Sequence, residues 1–170
     1  MENLFEDKEY YALIKDILDD NNFKKLDNIE HHGTTRLEHS LRVSYYSYLA
    51  SKKFKLHTKE VARAGLLHDF FMSYEDRTKS ERFFSTFIHP RYAAANVNKY
   101  FNISDLEYDI IRTHMFPLNL AVPKYSESWI VSIIDKVIGF YEFFNSYKFK
   151  LSYATNYLYF FIFLNFLKLR

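Results

Sequence analysis

The stretch "GLLHDFF", residues 65–71, places His68 and Asp69 side by side at the end of an apolar run. Burying both side chains without polar partners would cost on the order of several kcal/mol, so this position needs compensation. A divalent cation supplies it directly, because neutral imidazole and carboxylate are both good metal ligands. The stretch therefore predicts a metal-binding pair at the end of a core helix.

Around this stretch, the sequence predicts an all-α protein. The 170 residues include only three glycines and three prolines, which leave few turn signals, and apolar residues recur at helical spacing through most of the chain. The length is that of one domain and is sufficient to bury a core without disulfides. We therefore expect residues 1–170 to form a single domain.

Composition excludes several functional classes. The chain has no cysteine, which rules out a thiolate nucleophile, a cysteine zinc site and a disulfide scaffold, and which fits a reducing cytoplasm. The net charge of +2 is too small to indicate nucleic-acid binding. The acidic start, residues 1–22, lacks the order of a signal peptide, so we expect a cytoplasmic protein.

Helical periodicity and capping signals place the elements around the His-Asp pair. They predict helices at about 6–19, 23–26, 35–51, 58–68, 90–100, 104–114 and from 126 onward, with a polar surface loop at 73–84. Thr58 is the expected N-cap of the helix that carries His68, and Pro90 is expected in the first turn of its helix. The expected inward-facing residues are Leu41, Tyr45, Tyr48 and Leu49 in the 35–51 helix, and Ile130, Ile134, Val137 and Tyr141 in the last helix, with Asp135 beside them.

Four more residues of the same chemical types lie at or near the ends of other predicted helices: His39, His89, His114 and Asp135. A single histidine in such a place is more often an ordinary hydrogen-bonded residue than a ligand. Four histidines with two aspartates suit Fe, Mn, Co, Ni or Zn better than Ca or Mg, which prefer all-oxygen sites. Six ligands exceed the needs of one ion when waters also bind, so we expect two ions per chain.

The ordered series resembles the HD-domain metal-dependent phosphohydrolases. It consists of "EHS" with His39, "HD" with His68 and Asp69, "HP" with His89, "THM" with His114 and "IID" with Asp135. The resemblance covers about residues 30–142 and implies a helical bundle; the predicted N-terminal helix and an apolar C-terminal helix lie outside this range. It also implies that one metal is bound by His39, His68, Asp69 and Asp135, and that His89 and His114 bind a second metal, with Asp69 bridging the two.

Hydrolysis of a phosphate ester or anhydride follows from such a centre. Two cations about 3.5–4 Å apart can hold a bridging hydroxide and neutralise the charge that develops on a phosphoryl group. His68 and Asp69 are then the expected catalytic residues. The order of the ligands is closest to that of the small single-domain HD hydrolases that split diadenosine tetraphosphate, so a nucleotide or dinucleoside polyphosphate is the expected substrate.

Other HD subgroups fit less well. The Ile-Gly-Lys and Gly-Tyr-Pro motifs of the enzymes that degrade cyclic-di-GMP are missing, and Glu75 and Asp76 do not have the spacing seen in alarmone hydrolases. Three alternatives remain open. They are a mononuclear 5′-nucleotidase type of centre, a non-catalytic metal-stabilised nucleotide sensor and a di-iron oxygenase.

Three basic residues near the ligands are candidates for binding a substrate phosphate: Arg36, Arg91 and Lys136. Arg91 would act together with free backbone N–H groups at a helix start. Glu38, His31 and His32 are close enough in sequence to support the ligands, although ordinary solvated residues are more common at such positions. His57 is expected to be a surface residue.

The C-terminal segment carries no charge from Leu151 to Leu167. Seventeen residues reach only the short end of the membrane-spanning range, and Asn156 and Asn165 interrupt the apolar run. We expect a last core helix that packs on the bundle. A tail that contacts a membrane or a partner is the alternative.

Overall fold

The computed structural model describes the backbone of residues 6–31, 34–71 and 79–168, and it describes their side chains except for residues 30–31, 79–86 and 148–168. The described helices confirm the all-α prediction. They are α1 (Lys8–Asp19), α2 (Asn21–Lys24), a 3₁₀ turn (Lys25–Asn28), α3 (Arg36–Lys53), α4 (Thr58–Leu67), α5 (Lys79–Tyr100), α6 (Asp105–Thr113) and α7 (Ser126–Lys168). Two short strands, β1 (Glu30–His31) and β2 (Thr34–Thr35), pair in antiparallel fashion ahead of α3.

Helices α3 and α4 pack closely because their contact surface is made of small residues. The buried residues Ser40, Ser44, Ser47 and Ser51 line one face of α3 at helical spacing. Gly65 of α4 lies against it so tightly that a Cβ atom there would be 2.9 Å from the Cα of Ser44. The Ser44 hydroxyl also donates a hydrogen bond to the carbonyl of Ala62 at 2.6 Å. This close approach brings the residues that follow Gly65 next to the first turn of α3.

Helix α4 begins at Thr58 as predicted, but the predicted N-cap of α4 and the predicted start of α5 are wrong. Helix α4 has His57, not Thr58, at its N-cap, and no side chain caps it. Helix α5 already begins at Lys79, so residues 79–84 are helical rather than a loop, and Pro90 lies inside the helix. A proline inside a helix removes one backbone hydrogen bond. Burial of the residues around it offsets that cost, and Pro90, Ala93, Ala94 and Val97 are all buried.

The capping box predicted for α6 is confirmed. Ser104 accepts a hydrogen bond from the backbone N–H of Glu107, and the Glu107 carboxylate accepts one from the backbone N–H of Ser104. This cap stabilises the start of α6. The helix ends with His114 at its C-cap.

The inner face predicted for the last helix is wrong, and so is the expected position of Leu49. The buried face of α7 carries Glu127, Ser128, Val131, Ser132, Asp135, Ile138 and Glu142. Val137, Tyr141 and Leu49 are exposed, and Ile130 and Ile134 are half-buried. Asp135 therefore lies on the inner face itself, not beside it.

The expected C-terminal helix is the backbone continuation of α7, which runs without a break to Lys168. The side chains of residues 148–168 lie outside the described part, so their packing on the bundle stays a prediction. No helix in the described part of the chain has the length and apolar character needed to cross a membrane.

Candidate metal centre

The C-terminal end of α4 presents His68 and Asp69 inside the protein. Both side chains are buried, and His68 is the C-cap residue of the helix. Its Nδ1 lies 2.8 Å from the carbonyl oxygen of Gly65. A carbonyl can only accept, so Nδ1 carries the hydrogen, and in the neutral ring Nε2 keeps its lone pair. This Nε2 is buried and makes no hydrogen bond to the described part of the chain.

His39 and Asp135 face this pair from α3 and α7. Asp135 Oδ1 lies 3.1 Å from His39 Nε2 and 3.5 Å from His68 Nε2. The rings of His39 and His68 are 5.4 Å apart between centroids. All three side chains are buried. Three helices thus contribute polar atoms to one enclosed position.

His89 and His114 form a second set beside the first. The Nε2 atoms of the two rings are 2.9 Å apart, and both side chains are buried. His114 Nδ1 lies 2.8 Å from the carbonyl oxygen of Ile111, which repeats the arrangement of His68 with Gly65. Helices α5 and α6 therefore add two imidazole nitrogens to the same buried position.

Asp69 lies between the two sets. Its Oδ1 is 3.2 Å from His89 Nε2 and 3.7 Å from His114 Nε2. Its Oδ2 is 3.9 Å from His68 Nε2. The two oxygens of one carboxylate therefore face different groups of histidines.

The residues fit a divalent metal centre. Three overlapping groups each bring their donor atoms within 4.8 Å of one another, and all their members are buried: His39, His68 and Asp69; His68, His114 and Asp135; Asp69, His89 and His114. The donor set is nitrogen and carboxylate oxygen, which suits first-row transition metals. A cation would also give the buried His68 Nε2 the partner it lacks in the described part of the chain.

The electrostatics of the site favour positive charge near the carboxylates. Burial alone would lower the pKa of His39, but its hydrogen bonds to Asp135 and Glu142 raise the pKa to about 10. Burial would raise the pKa of Asp135, yet His39 and His68 hold it well below the usual range. At His114, burial is the largest cause of a low pKa, and together with the nearby His68 and His89 it lowers the pKa to about 3. His114 is therefore a neutral ring, the form that binds metals.

The three predicted phosphate-binding residues have different surroundings. Arg36 is buried, its guanidinium lies 3.9 Å above the ring of Phe71, and Nη1 donates to the Phe71 carbonyl. Lys136 is half-buried and its Nζ donates to the carbonyl of His114 at 2.7 Å. Arg91 is exposed inside α5, so the expected help from free N–H groups at a helix start is wrong. The binding roles of all three stay predictions.

Glu142 was missed in the sequence. It is buried, and its Oε2 accepts a hydrogen bond from His39 Nδ1 at 2.8 Å, while Arg42 Nη1 donates to its Oε1 at 2.5 Å. Its spacing from a predicted ligand along the helix could have indicated this role. Glu142 follows Asp135 by seven residues and Arg42 follows His39 by three, so each shares a helix face with a predicted ligand.

The remaining polar candidates lie further out. Glu38 accepts a hydrogen bond from Thr34 and lies 3.8 Å from Arg42. The side chain of His31 is not among those described, and His32, Glu75 and Asp76 lie outside the described residues. His57 is exposed, as predicted, and its Nδ1 lies 2.7 Å from the buried carboxylate of Glu127.

Comparison with known protein families matches the HD domain over residues 36–138, a range that contains all six predicted ligands. Comparisons with curated proteins and with solved structures gave no significant match. The HD domain is a helical bundle that typically binds divalent metals, in agreement with the described helices and with the buried His/Asp groups. The chain belongs to the HD domain superfamily of metal-dependent phosphohydrolases.

Proposed function

We propose that this chain is an active phosphohydrolase that uses two transition-metal ions to cleave a phosphate ester or anhydride of a nucleotide or dinucleoside polyphosphate. The observation that carries the proposal is the position of Asp69. Its Oδ1 faces His89 and His114, and its Oδ2 faces His68. A carboxylate between two groups of imidazoles can serve as a ligand to both ions of a two-metal centre.

Two sets of residues would hold the ions. His39, His68 and Asp135 would hold the first, His89 and His114 the second, and Asp69 both. When bound, the ions supply Lewis-acid activation of water and neutralise charge on the phosphoryl group. The backbone carbonyls of Gly65 and Ile111 and the carboxylate of Glu142 orient three of the rings through Nδ1, so that each Nε2 points to the centre.

The protein also shapes the surroundings of the phosphate. Among the three basic candidates, Arg36 is the best placed, because its charge acts on Asp69 and its burial keeps the guanidinium in a fixed position. The ring of Phe71 contacts both Arg36 and His89, and its centroid is 5.2 Å from that of the stacked His89 ring. We propose that Arg36 attracts the substrate phosphate and that the stacked Phe71 holds His89 in place.

The proposed partner is a phosphorylated small molecule, not a nucleic acid. The near-balanced net charge of +2 supports this proposal, because duplex binding needs clustered positive charge. The proposed compartment is the cytoplasm, which the lack of cysteine fits.

A substrate screen tests the proposed activity. Hydrolysis products of dinucleoside polyphosphates, nucleoside monophosphates and cyclic dinucleotides are separated and quantified by chromatography after incubation with Mn, Fe, Co, Ni or Mg. The wild type is compared with Asp69→Ala and with Asp105→Ala, which removes an exposed aspartate from the far end of α6. We expect turnover by the wild type and by Asp105→Ala, and none by Asp69→Ala.

Two results would contradict the proposed activity. Metal-loaded protein that binds nucleotides but hydrolyses none of these substrates would be a sensor. Activity that requires Fe and O₂ and no phosphate substrate would identify an oxygenase.

A further inference from the structure

Helix α7 presents apolar side chains on two opposite sides between Ser126 and Tyr147. One side packs into the protein through Val131 and Ile138. The opposite side, which we call the outer face of α7, consists of Trp129, Ile133, Val137, Phe140, Tyr141, Phe143, Phe144 and Tyr147, each between 41% and 66% exposed. Single exposed apolar residues are common, but eight large ones on one helix are not.

These eight residues form one continuous surface. With 3.6 residues per turn, they fall within an arc of roughly 160° around the helix axis. Ile133, Val137, Phe140, Phe144 and Tyr147 follow one another at spacings of four and three residues along the centre of this arc. The rings of Phe140 and Phe144 are 4.5 Å apart between centroids.

The outer face carries no exposed charge in the stretch from Ser126 to Tyr147. The acidic residues of this stretch, Glu127, Asp135 and Glu142, are buried on the inner side. Lys136 is half-buried, and its ammonium group donates hydrogen bonds to the carbonyls of His114 and Ser132. A surface-bound membrane helix usually has exposed lysine or arginine beside its apolar face, which these described residues do not offer.

We propose that the outer face of α7 binds the same face of a second copy of this chain. An uncharged surface meets its own copy without like-charge repulsion, as a two-fold interface requires. Half-exposed side chains of this size offer roughly 100 Å² each and roughly 800 Å² together, close to what each partner contributes to a standard stable interface. The same area exceeds the largest apolar patch of a typical monomer, about 300–600 Å².

Sedimentation and light scattering of the full chain test the proposed dimer. We expect a dimer for the wild type and loss of the dimer in Val137→Glu/Phe140→Glu, because pairing would bury four unpaired carboxylates. Both parent side chains are more than 60% exposed, so the variant should keep the helical circular dichroism of the monomer. Leu120→Glu, which changes a residue that is 93% exposed in the loop before α7, should remain dimeric.

Cross-linking gives a second readout that does not depend on the stability of the charged variant. The chain has no cysteine, so a single introduced cysteine is unique. Among Ile133→Cys, Val137→Cys, Phe140→Cys and Phe144→Cys, at least one should form a disulfide-linked dimer on mild oxidation, whereas Leu120→Cys should not. A monomeric wild type would overturn the proposal, as would a dimer unaffected by the double substitution. Monomers that sediment with anionic vesicles through this face would also overturn it and would identify a membrane partner.

Discussion

Glu142 accepts a hydrogen bond from Nδ1 of His39, while Asp135, two turns earlier on the same helix, contacts Nε2 of that ring. One face of α7 therefore supplies both a candidate metal ligand, Asp135, and the carboxylate of Glu142, which orients the ring of the candidate ligand His39. Arg42 completes the chain of contacts by donating to Glu142. Carboxylates that hold a metal-binding histidine through its second nitrogen commonly strengthen metal binding.

Replacement of Glu142 should weaken metal binding without removing a ligand. We expect Glu142→Ala to lower the affinity for Mn²⁺ or Fe²⁺ by about 10- to 100-fold, because His39 loses the acceptor that fixes its orientation. Glu142→Gln keeps a carbonyl acceptor and should recover part of the loss. The affinity is measured on metal-free protein by competition with a chelator, with the exposed Asn145→Ala as the control. Unchanged affinity in Glu142→Ala would remove Glu142 from the account of the site.

Two glycines should respond to alanine in opposite directions. Gly65→Ala forces a Cβ to within 2.9 Å of the Ser44 backbone, so it should reduce the free energy of unfolding by about 1–3 kcal/mol. Nothing lies within 4 Å of a Cβ at Gly139, where alanine should add about 0.5–1 kcal/mol through its better helix propensity. Urea unfolding of both variants checks the pair. Equal changes in the free energy of unfolding for Gly65→Ala and Gly139→Ala would contradict the close packing of α3 on α4.

The His57–Glu127 contact should make stability depend on pH. The hydrogen bond to Glu127 raises the pKa of the exposed His57. The contribution of protonated His57 to the free energy of unfolding is therefore complete below about pH 6.5 and is lost as pH rises through the raised pKa. Burial alone would raise the pKa of Glu127, but the hydrogen bond from His57 lowers it. The contribution of ionised Glu127 to the free energy of unfolding is therefore present above about pH 4.3 and is lost as pH falls through the lowered pKa. The pair should therefore stabilise the fold most between these two values.

A comparison with the neutral variant His57→Gln isolates this effect. The difference in the free energy of unfolding between wild type and variant should be largest near pH 5–6 and should shrink as pH rises through the raised pKa of His57. A difference that stays constant across this range would show that the ion pair does not contribute.

The predicted ligands could be found in the sequence because their residue types are unusual at the ends of apolar helices. His68 and Asp69 follow a buried apolar run, and their order with the other four residues resembles one family. The structure brings all six into one buried position. The helical class was predictable for a similar reason, since few turn residues interrupt the helical spacing.

The orientation of α7 could not be predicted from its periodicity. Apolar residues occur on both sides of the helix, so Val137 and Tyr141 fit a buried stripe as well as Val131 and Ile138 do. Glu142 was missed because a glutamate on an amphipathic helix usually faces water. The start of α5 was misplaced because proline is typical of a first helical turn, whereas the buried residues around Pro90 keep it inside a longer helix.

Metal content tests the central claim most directly. Elemental analysis of purified protein, combined with titration of metal-free protein, should give about two transition-metal ions per chain for the wild type. Asp69→Ala should keep its helical circular dichroism and lose high-affinity binding of at least one ion, because Asp69 faces both groups of histidines. A reproducible value near one in the wild type, unchanged in His114→Ala, would contradict a two-metal centre and would leave His89 and His114 without a ligand role.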